Sequence, residues 1–221
     1  MKRRSDSART RRSYAREHIL ACALDEFLEK GFSGASLRAI AARAAVTTGA
    51  IYGYFSSKAD LFDALVAPAA DELLRLFHDA NDRFYEFPVE QQDFDRMCQF
   101  SDSVRIDMLD FAYANRDAFL LVYCKSAGTS WERYLDRFAE IESASTLRYA
   151  RMLRERGDRV RDVDSVMADM LSKMYFRSCF EILMEGLPRA EARERMDDLS
   201  RFFQSGYEAL IIPPEEEASE D

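Results

Sequence analysis

Residues 36–55 read SLRAIAARAAVTTGAIYGYF, and the architecture of the chain turns on how they fold. Ser36 offers a hydroxyl N-cap to a short helix over 37–44. Ala45-Val46-Thr47 leaves room only for a tight turn, and Thr47 or Thr48 can cap a further helix from about Gly49 to Phe55. In that arrangement Ile40, Ala41, Ala44, Val46, Ile51 and Phe55 fall on the inner side, and Thr47, Thr48, Ala50, Gly53 and Tyr54 near the outer one. Two helices joined by three residues approach closely at a steep angle, which the small side chains of Ala41, Ala44 and Ala45 permit. This is the hydrophobic spacing of a helix-turn-helix unit. Helical spacing alone fits a hairpin inside a bundle core equally well.

The same periodicity extends outward in both directions. Leu20, Ala23, Leu24, Phe27 and Leu28 form one stripe of a first helix, closed by Lys30 and Gly31 as a basic last turn and cap glycine. Ser56 or Ser57 caps a fourth helix carrying Leu61, Phe62, Leu65 and Val66 toward Pro68. A proline in a helix removes an amide donor, so a kink or restart is predicted there, together with a domain boundary. Amphipathic stretches follow from Leu73 to Phe84, Phe94 to Tyr113, Ala118 to Cys124, Ser130 to Arg156, Val163 to Glu185 and Arg189 to Leu210. With 8 Gly and 5 Pro in 221 residues and no period-2 runs, the expected fold is all-α. The reading divides the chain into a flexible basic arm (1–13), a three-helix helix-turn-helix domain (14–66), a larger helical bundle (67–211) and an acidic, disordered tail (212–221).

A composition of 48% hydrophobic and 32% charged residues is too apolar for disorder and too polar for a membrane protein. Charge is distributed unevenly. Residues 1–60 hold 11 basic and 6 acidic side chains, whereas the chain as a whole carries a net charge of −9. At physiological salt charges are screened over about 8 Å, so a basic head can meet phosphates despite an acidic body. Cys22, Cys98, Cys124 and Cys179 form no C-x-x-C pair, which suits a reducing compartment. No apolar run is long enough to span a membrane, and no signal-peptide pattern follows the basic N-terminus. The expectation is a soluble, cytoplasmic protein. The two histidines, His18 and His78, fall on different helices, and no nucleophile elbow, phosphate loop or zinc-helix motif is present. Neither catalysis nor a cofactor is expected.

Residues 36–41 (SLRAIA), 44–55 (AAVTTGAIYGYF) and 57–62 (SKADLF) closely resemble the DNA-binding region of TetR/AcrR-type transcriptional regulators. The resemblance covers roughly residues 14–66. It implies that the third helix enters the major groove, with Thr47, Thr48, Gly49, Ala50 and Gly53 toward base edges or nearby phosphates. Tyr52 and Tyr54 would then serve as phosphate or thymine-methyl contacts, or as packing. Lys58, Ser36 and Arg38 are placed by the resemblance at phosphates, and Arg11 and Arg12 in a basic arm reaching the backbone or the minor groove. Two positions depart from the usual pattern. Ala45 stands where helix-turn-helix turns often have glycine, and Gly53 stands where a larger residue is common.

Beyond Pro68 the resemblance implies function only through the family's general plan. The final two helices would pair with those of a second copy, with Val166, Met170, Met174, Ser178 and Ile182 on one and Phe202, Phe203, Gly206 and Leu210 on the other. The aromatic middle helices would enclose a small-molecule effector, with Phe100, Tyr123 and Trp131 as candidate contacts. The expected partners are double-stranded DNA, a second copy and an unknown effector, and no membrane. The expected function is a repressor released from a near-palindromic operator. The alternatives are a constitutive or cysteine-based redox regulator, and a helical protein-interaction module without specific DNA binding.

Overall fold

The structure, a computed structural model, describes residues 2–213. Nine α-helices account for most of these residues: α1 (Lys2–Gly34), α2 (Leu37–Arg43), α3 (Thr48–Tyr52), α4 (Lys58–Phe84), α5 (Phe94–Ala114), α6 (Arg116–Cys124), α7 (Tyr134–Arg156), α8 (Ser165–Met184) and α9 (Arg189–Ile211). Among the described residues there is no strand, and the fold is all-α. No helix among them is long and apolar enough to cross a membrane.

Helix α1 extends back to Lys2, through the segment expected to be an irregular arm. No Gly or Pro interrupts residues 2–30, and Lys, Arg and Ala propagate helices well. Gly31 then takes φ +70, the left-handed conformation that ends the regular helix. The acidic tail from residue 214 onward and the side chain of Arg11 lie outside the described residues.

Helix α4 corrects the expectation at Pro68, because it runs unbroken through that position. Pro68 is exposed, so the Ala64 carbonyl that loses its amide partner is on a side open to solvent. The chain divides later, inside α4. One unit takes in residues up to Glu72 together with Asn115–Glu132, and the other comprises Leu73–Ala114 and the residues from Arg133 onward. The expected limits at 66 and 67 thus give way to a first unit assembled from two separate stretches.

In the first unit α1, α2 and α3 enclose Phe27, Ile40, Ile51 and Phe55 with Leu61, Phe62 and Val66 of α4, all 3% exposed or less. Phe62 meets Phe27 and Phe32 edge-on at 5.1 and 5.4 Å. Helix α6 adds the buried Phe119, Leu121 and Val122. Its end is stitched to the turn after α1, where Phe32 N–H donates to the Lys125 carbonyl at 2.8 Å and Ser33 Oγ to the Ala127 carbonyl at 2.9 Å. In the second unit α7 and α8 pack around Phe138, whose ring lies 5.4 Å from Phe77 and 5.3 Å from Phe176.

The α2–α3 turn closes with two hydrogen bonds, Val46 N–H to Ala41 O at 2.9 Å and Ala45 N–H to Ala42 O at 3.2 Å. This is a Schellman pattern, whose left-handed position is normally glycine. Here it is Ala45, at φ +52, and among the described residues it is the one non-glycine with positive φ. A Cβ in that region costs on the order of 1 kcal/mol. Ala45→Gly is therefore expected to stabilise the protein by a net of about 0.5 kcal/mol, once the entropy that glycine adds to the unfolded chain is set against the relieved strain. A urea midpoint that falls on this substitution would show the strain to be absent.

Candidate nucleic-acid interface and inner cavity

The helices α2, α3 and α4 are each held at their start by a hydroxyl. Arg38 N–H donates to Ser36 Oγ at 3.2 Å, Ala50 N–H to Thr47 Oγ1 at 3.1 Å and Asp60 N–H to Ser57 Oγ at 3.0 Å. The Asp60 carboxylate reciprocates by accepting from Ser56 N–H at 2.7 Å. Thr47, not Thr48, is thus the cap of α3, and the cap occupies a lone pair of a hydroxyl expected to face DNA. Its O–H remains a donor.

Helix α3 is shorter than expected, because it ends at Tyr52 with Gly53 as its C-cap. Gly53 N–H is shared between the carbonyls of Gly49 and Ala50 at 3.2 and 3.1 Å. A Cβ on Gly53 would lie 3.2 Å from the Ala50 carbonyl oxygen, so a larger side chain would crowd this turn. Gly49 differs, since a Cβ there would meet nothing nearer than Thr47 Oγ1 at 3.8 Å. Folding of the head does not require that glycine.

On the outer face Gly49, Tyr52 and Gly53 are exposed, and Thr48, Ala50 and Tyr54 are half-buried. Tyr52 is 55% exposed, which removes the packing role left open for it. Arg12 stacks over the Tyr54 ring at 5.5 Å and directs Nη2 toward the Gly53 carbonyl at 3.5 Å. A guanidinium at the end of α3 suits the negative pole of the helix. Ser36 and Arg38 are exposed as well.

Lys58 is positioned differently from the phosphate contact predicted for it. Its ammonium donates to the carbonyls of Phe32 at 2.7 Å and Ala35 at 3.1 Å, and lies 4.5 Å from the Phe32 ring centroid. Two of its three donors hold the α1–α2 turn, and one remains for an outside acceptor.

A residue that the sequence reading missed ties these parts together. Glu26 is 1% exposed, accepts from Lys30 Nζ at 3.0 Å and lies 3.8 Å from Arg43 Nη2. Burial pushes this carboxyl up, but Lys30, the Ser36 backbone amide and Arg43 outweigh it and hold the group below the usual carboxylate range. The signal was present in the spacing, since Glu26 shares the apolar face of Ala23 and Phe27 and stands four residues before Lys30.

The second unit contains a cavity of about 190 Å³ lined by residues of α4, α5, α7, α8 and α9. Phe100 lines it. Tyr123 and Trp131 do not, because both belong to the first unit, where Trp131 is buried with Nε1 donating to Asp63 at 2.7 Å. Phe203 also turns inward, 8% exposed and lining the cavity, so it leaves the stripe expected to meet a second copy. The rest of that stripe has another setting. Val166, Met170, Met174 and Phe202 are 62%, 52%, 54% and 73% exposed, Gly206 is exposed, and Ser178, Ile182 and Leu210 are half-buried. Burial pushes the cavity thiols of Cys98 up to about 11 and of Cys179 up to about 12, so both stay protonated and weakly nucleophilic at neutral pH.

A capped pair of short helices at a Schellman turn, packed on a long first helix, defines a helix-turn-helix protein. Residues 19–65 match the family model for bacterial regulatory proteins, tetR family, the same segment whose residues resemble TetR/AcrR-type regulators. It is 50% identical over 50 residues to the HTH-type transcriptional regulator AcrR of Shigella flexneri, covering 23% of each chain. It is 44% identical over 54 residues to the HTH-type transcriptional repressor BepR of Brucella suis biovar 1, covering 24% of this chain and 26% of that one. The matched region thus spans about a quarter of these relatives. The fold extends further. NalD of Pseudomonas aeruginosa, the secondary repressor of the MexAB-OprM multidrug efflux pump, superposes with a TM-score of 0.58 at 17% identity, over 92% of this chain and 98% of that one. A TetR-like transcriptional regulator from Rhodococcus sp. RHA1 gives 0.57 at 16% identity, over 87% and 96%.

Glu26→Gln is expected to lower stability by about 2 kcal/mol at neutral pH, the scale of a buried hydrogen bond to a charged group. A carboxyl depressed on folding stabilises the protein above its unfolded pKa, and this stabilisation is lost as pH falls through the folded one. The difference between the two proteins should therefore shrink in acid, as urea midpoints at neutral and acidic pH would test. A gap that is constant with pH would remove the charge from the account.

Proposed function

We propose that this protein is a sequence-specific DNA-binding transcriptional regulator, a dimeric repressor released from its operator by a small molecule and working in the cytoplasm. The observation that carries the reading is the outer face of the capped α2–α3 unit, in a segment matching the tetR family. Thr48, Gly49 and Tyr52 present short or planar groups at the surface, and Gly49 is not needed by the fold. A bare backbone there lets α3 approach a groove edge closely. Arg38 and Arg12 supply phosphate contacts, and Arg11 is a further candidate. Lys58 serves mainly to fix the turn that orients α2, with one ammonium proton left for a phosphate.

Dimer formation is supported by the apolar row Val166, Met170 and Met174, which continues through Ser178 and Ile182 at four-residue spacing, with Phe202 exposed on α9. Large apolar side chains exposed in a row favour a self-complementary contact between two copies. Two copies carry two recognition helices, which suits a near-palindromic site with half-sites about one helical turn apart. Of the alternatives, a thiol sensor built on Cys98 or Cys179 gains no support from burial that keeps both thiols protonated, while Cys124, the third candidate, is exposed.

Selection from a random duplex pool should enrich an inverted repeat. Arg38→Ala should weaken binding evenly across sites and reduce the salt dependence by about one phosphate contact, while Thr48→Ala should change base preference. Failure to enrich any sequence by folded, dimeric protein would overturn the proposal. Independently, Met170→Glu should yield monomers in sedimentation, with helicity retained and operator affinity reduced. A dimer that persists would move the interface elsewhere.

A further inference from the structure

The cavity of the second unit is lined mainly by aromatic and aliphatic side chains, with Arg105 and Glu142 as the formally charged residues among them. The two are placed very differently. Arg105, 11% exposed, has Nη2 3.1 Å from Asp102 and Nη1 2.7 Å from Asp197. Asp102 accepts in addition from Ser200 Oγ at 3.2 Å and Gln204 Nε2 at 3.1 Å. The guanidinium charge is therefore matched twice over, and what Arg105 still offers is the N–H groups of Nε and Nη1, both buried without a hydrogen-bond partner, as donors rather than net charge.

Glu142 lies on the face of α7 that also carries Phe138, Ser145 and Tyr149. Among the described residues no basic group or hydrogen-bond donor supports its carboxyl, and burial alone pushes it up to about 7. The titratable groups around it are Tyr85 beyond α4, Tyr175 and Cys179 of α8 and Tyr207 of α9, while α5 contributes Cys98 and the Arg105–Asp102 pair to the same cavity. The tyrosines and thiols are all shifted upward and remain neutral near pH 7, leaving Glu142 as the group that titrates there. Maintaining an unpaired carboxylate inside an aromatic cavity is costly unless its partner comes from outside. The rings of Phe77, Phe138 and Phe176, at centroid separations of 5.1–5.4 Å, add π faces that attract a cation.

We propose that this cavity selects a hydrophobic organic cation, a protonated amine on an aromatic body, and that Glu142 is its counter-ion. The inference rests on the effector-release reading and names the class of effector. An anion of the same shape would meet Glu142 with no unmatched positive charge to receive it. A neutral isostere would gain the apolar contacts but not the ion pair.

Three probes of one skeleton test this: phenylbutylamine, phenylbutanol and phenylbutyrate, titrated calorimetrically into the full-length dimer without DNA. The amine is expected to bind at least about tenfold tighter than the alcohol at pH 8, and the butyrate more weakly than either. The amine's advantage should grow from pH 6 to pH 8 as Glu142 ionises. Glu142→Gln should keep alcohol binding and erase the preference for amine and its pH dependence. Equal affinities, a preference for butyrate, no binding of any probe, or a preference that survives in Glu142→Gln would each overturn the inference. Operator binding is measured separately. Amine selectivity without operator release would count against the release reading alone, whereas sequence-specific DNA binding without amine selectivity would sink only the counter-ion.

Discussion

A helix of five residues cannot sustain itself in water, because nucleation costs more than so few hydrogen bonds return. Everything that the head can do at DNA depends on overcoming that deficit for α3. Burial of Ile51 at 0% and Phe55 at 3% exposure supplies most of it, the Thr47 cap removes one orphan amide, and Arg12 steadies the other end. The surface left over is made of residues too small or too planar to add stability. Thr48, Gly49 and Tyr52 are therefore available for contact because Ile51, Phe55 and Thr47 hold the helix between them.

The same division of labour explains which features were legible in the sequence. Hydrophobic period and hydroxyl caps foretold α2, α3 and the start of α4, because both depend on neighbours a few residues apart. Gly31 and Gly157 stop their helices in left-handed conformations as expected, at φ +70 and +96. Pro68 did not break α4, since a proline on an exposed face removes one internal bond without forcing the chain to turn. Lys58 looked like a phosphate ligand in one dimension, yet the carbonyls it holds lie 23 and 26 residues earlier. Tyr123 and Trp131 looked like neighbours of Phe100 because all are aromatic and mid-chain. Which core each joins is decided by long-range packing that periodicity does not encode.

Charged residues on apolar faces were the most informative signals left unread. Glu26 and Glu142 both interrupt buried stripes, and one spacing rule finds both. Their environments separate them. Glu26 is surrounded by Lys30, Arg43 and a backbone amide and stays ionised as part of the framework. Glu142 has no such company, and its carboxyl is poised near neutrality. Identical side chains thus serve as a fixed strut in one unit and as an unfilled electrostatic demand in the other.

The Phe32 peptide is gripped from two directions, its amide by the Lys125 carbonyl and its carbonyl by Lys58. Because α6 arrives some ninety residues after α1, the head is not a contiguous piece of the gene product. A fragment ending at Glu72 would lack Phe119, Leu121 and Val122 and leave their apolar neighbours wet. The contact between Trp131 and Asp63 can form only once the chain through residue 131 has been made. Only then does the head acquire its complete set of native contacts.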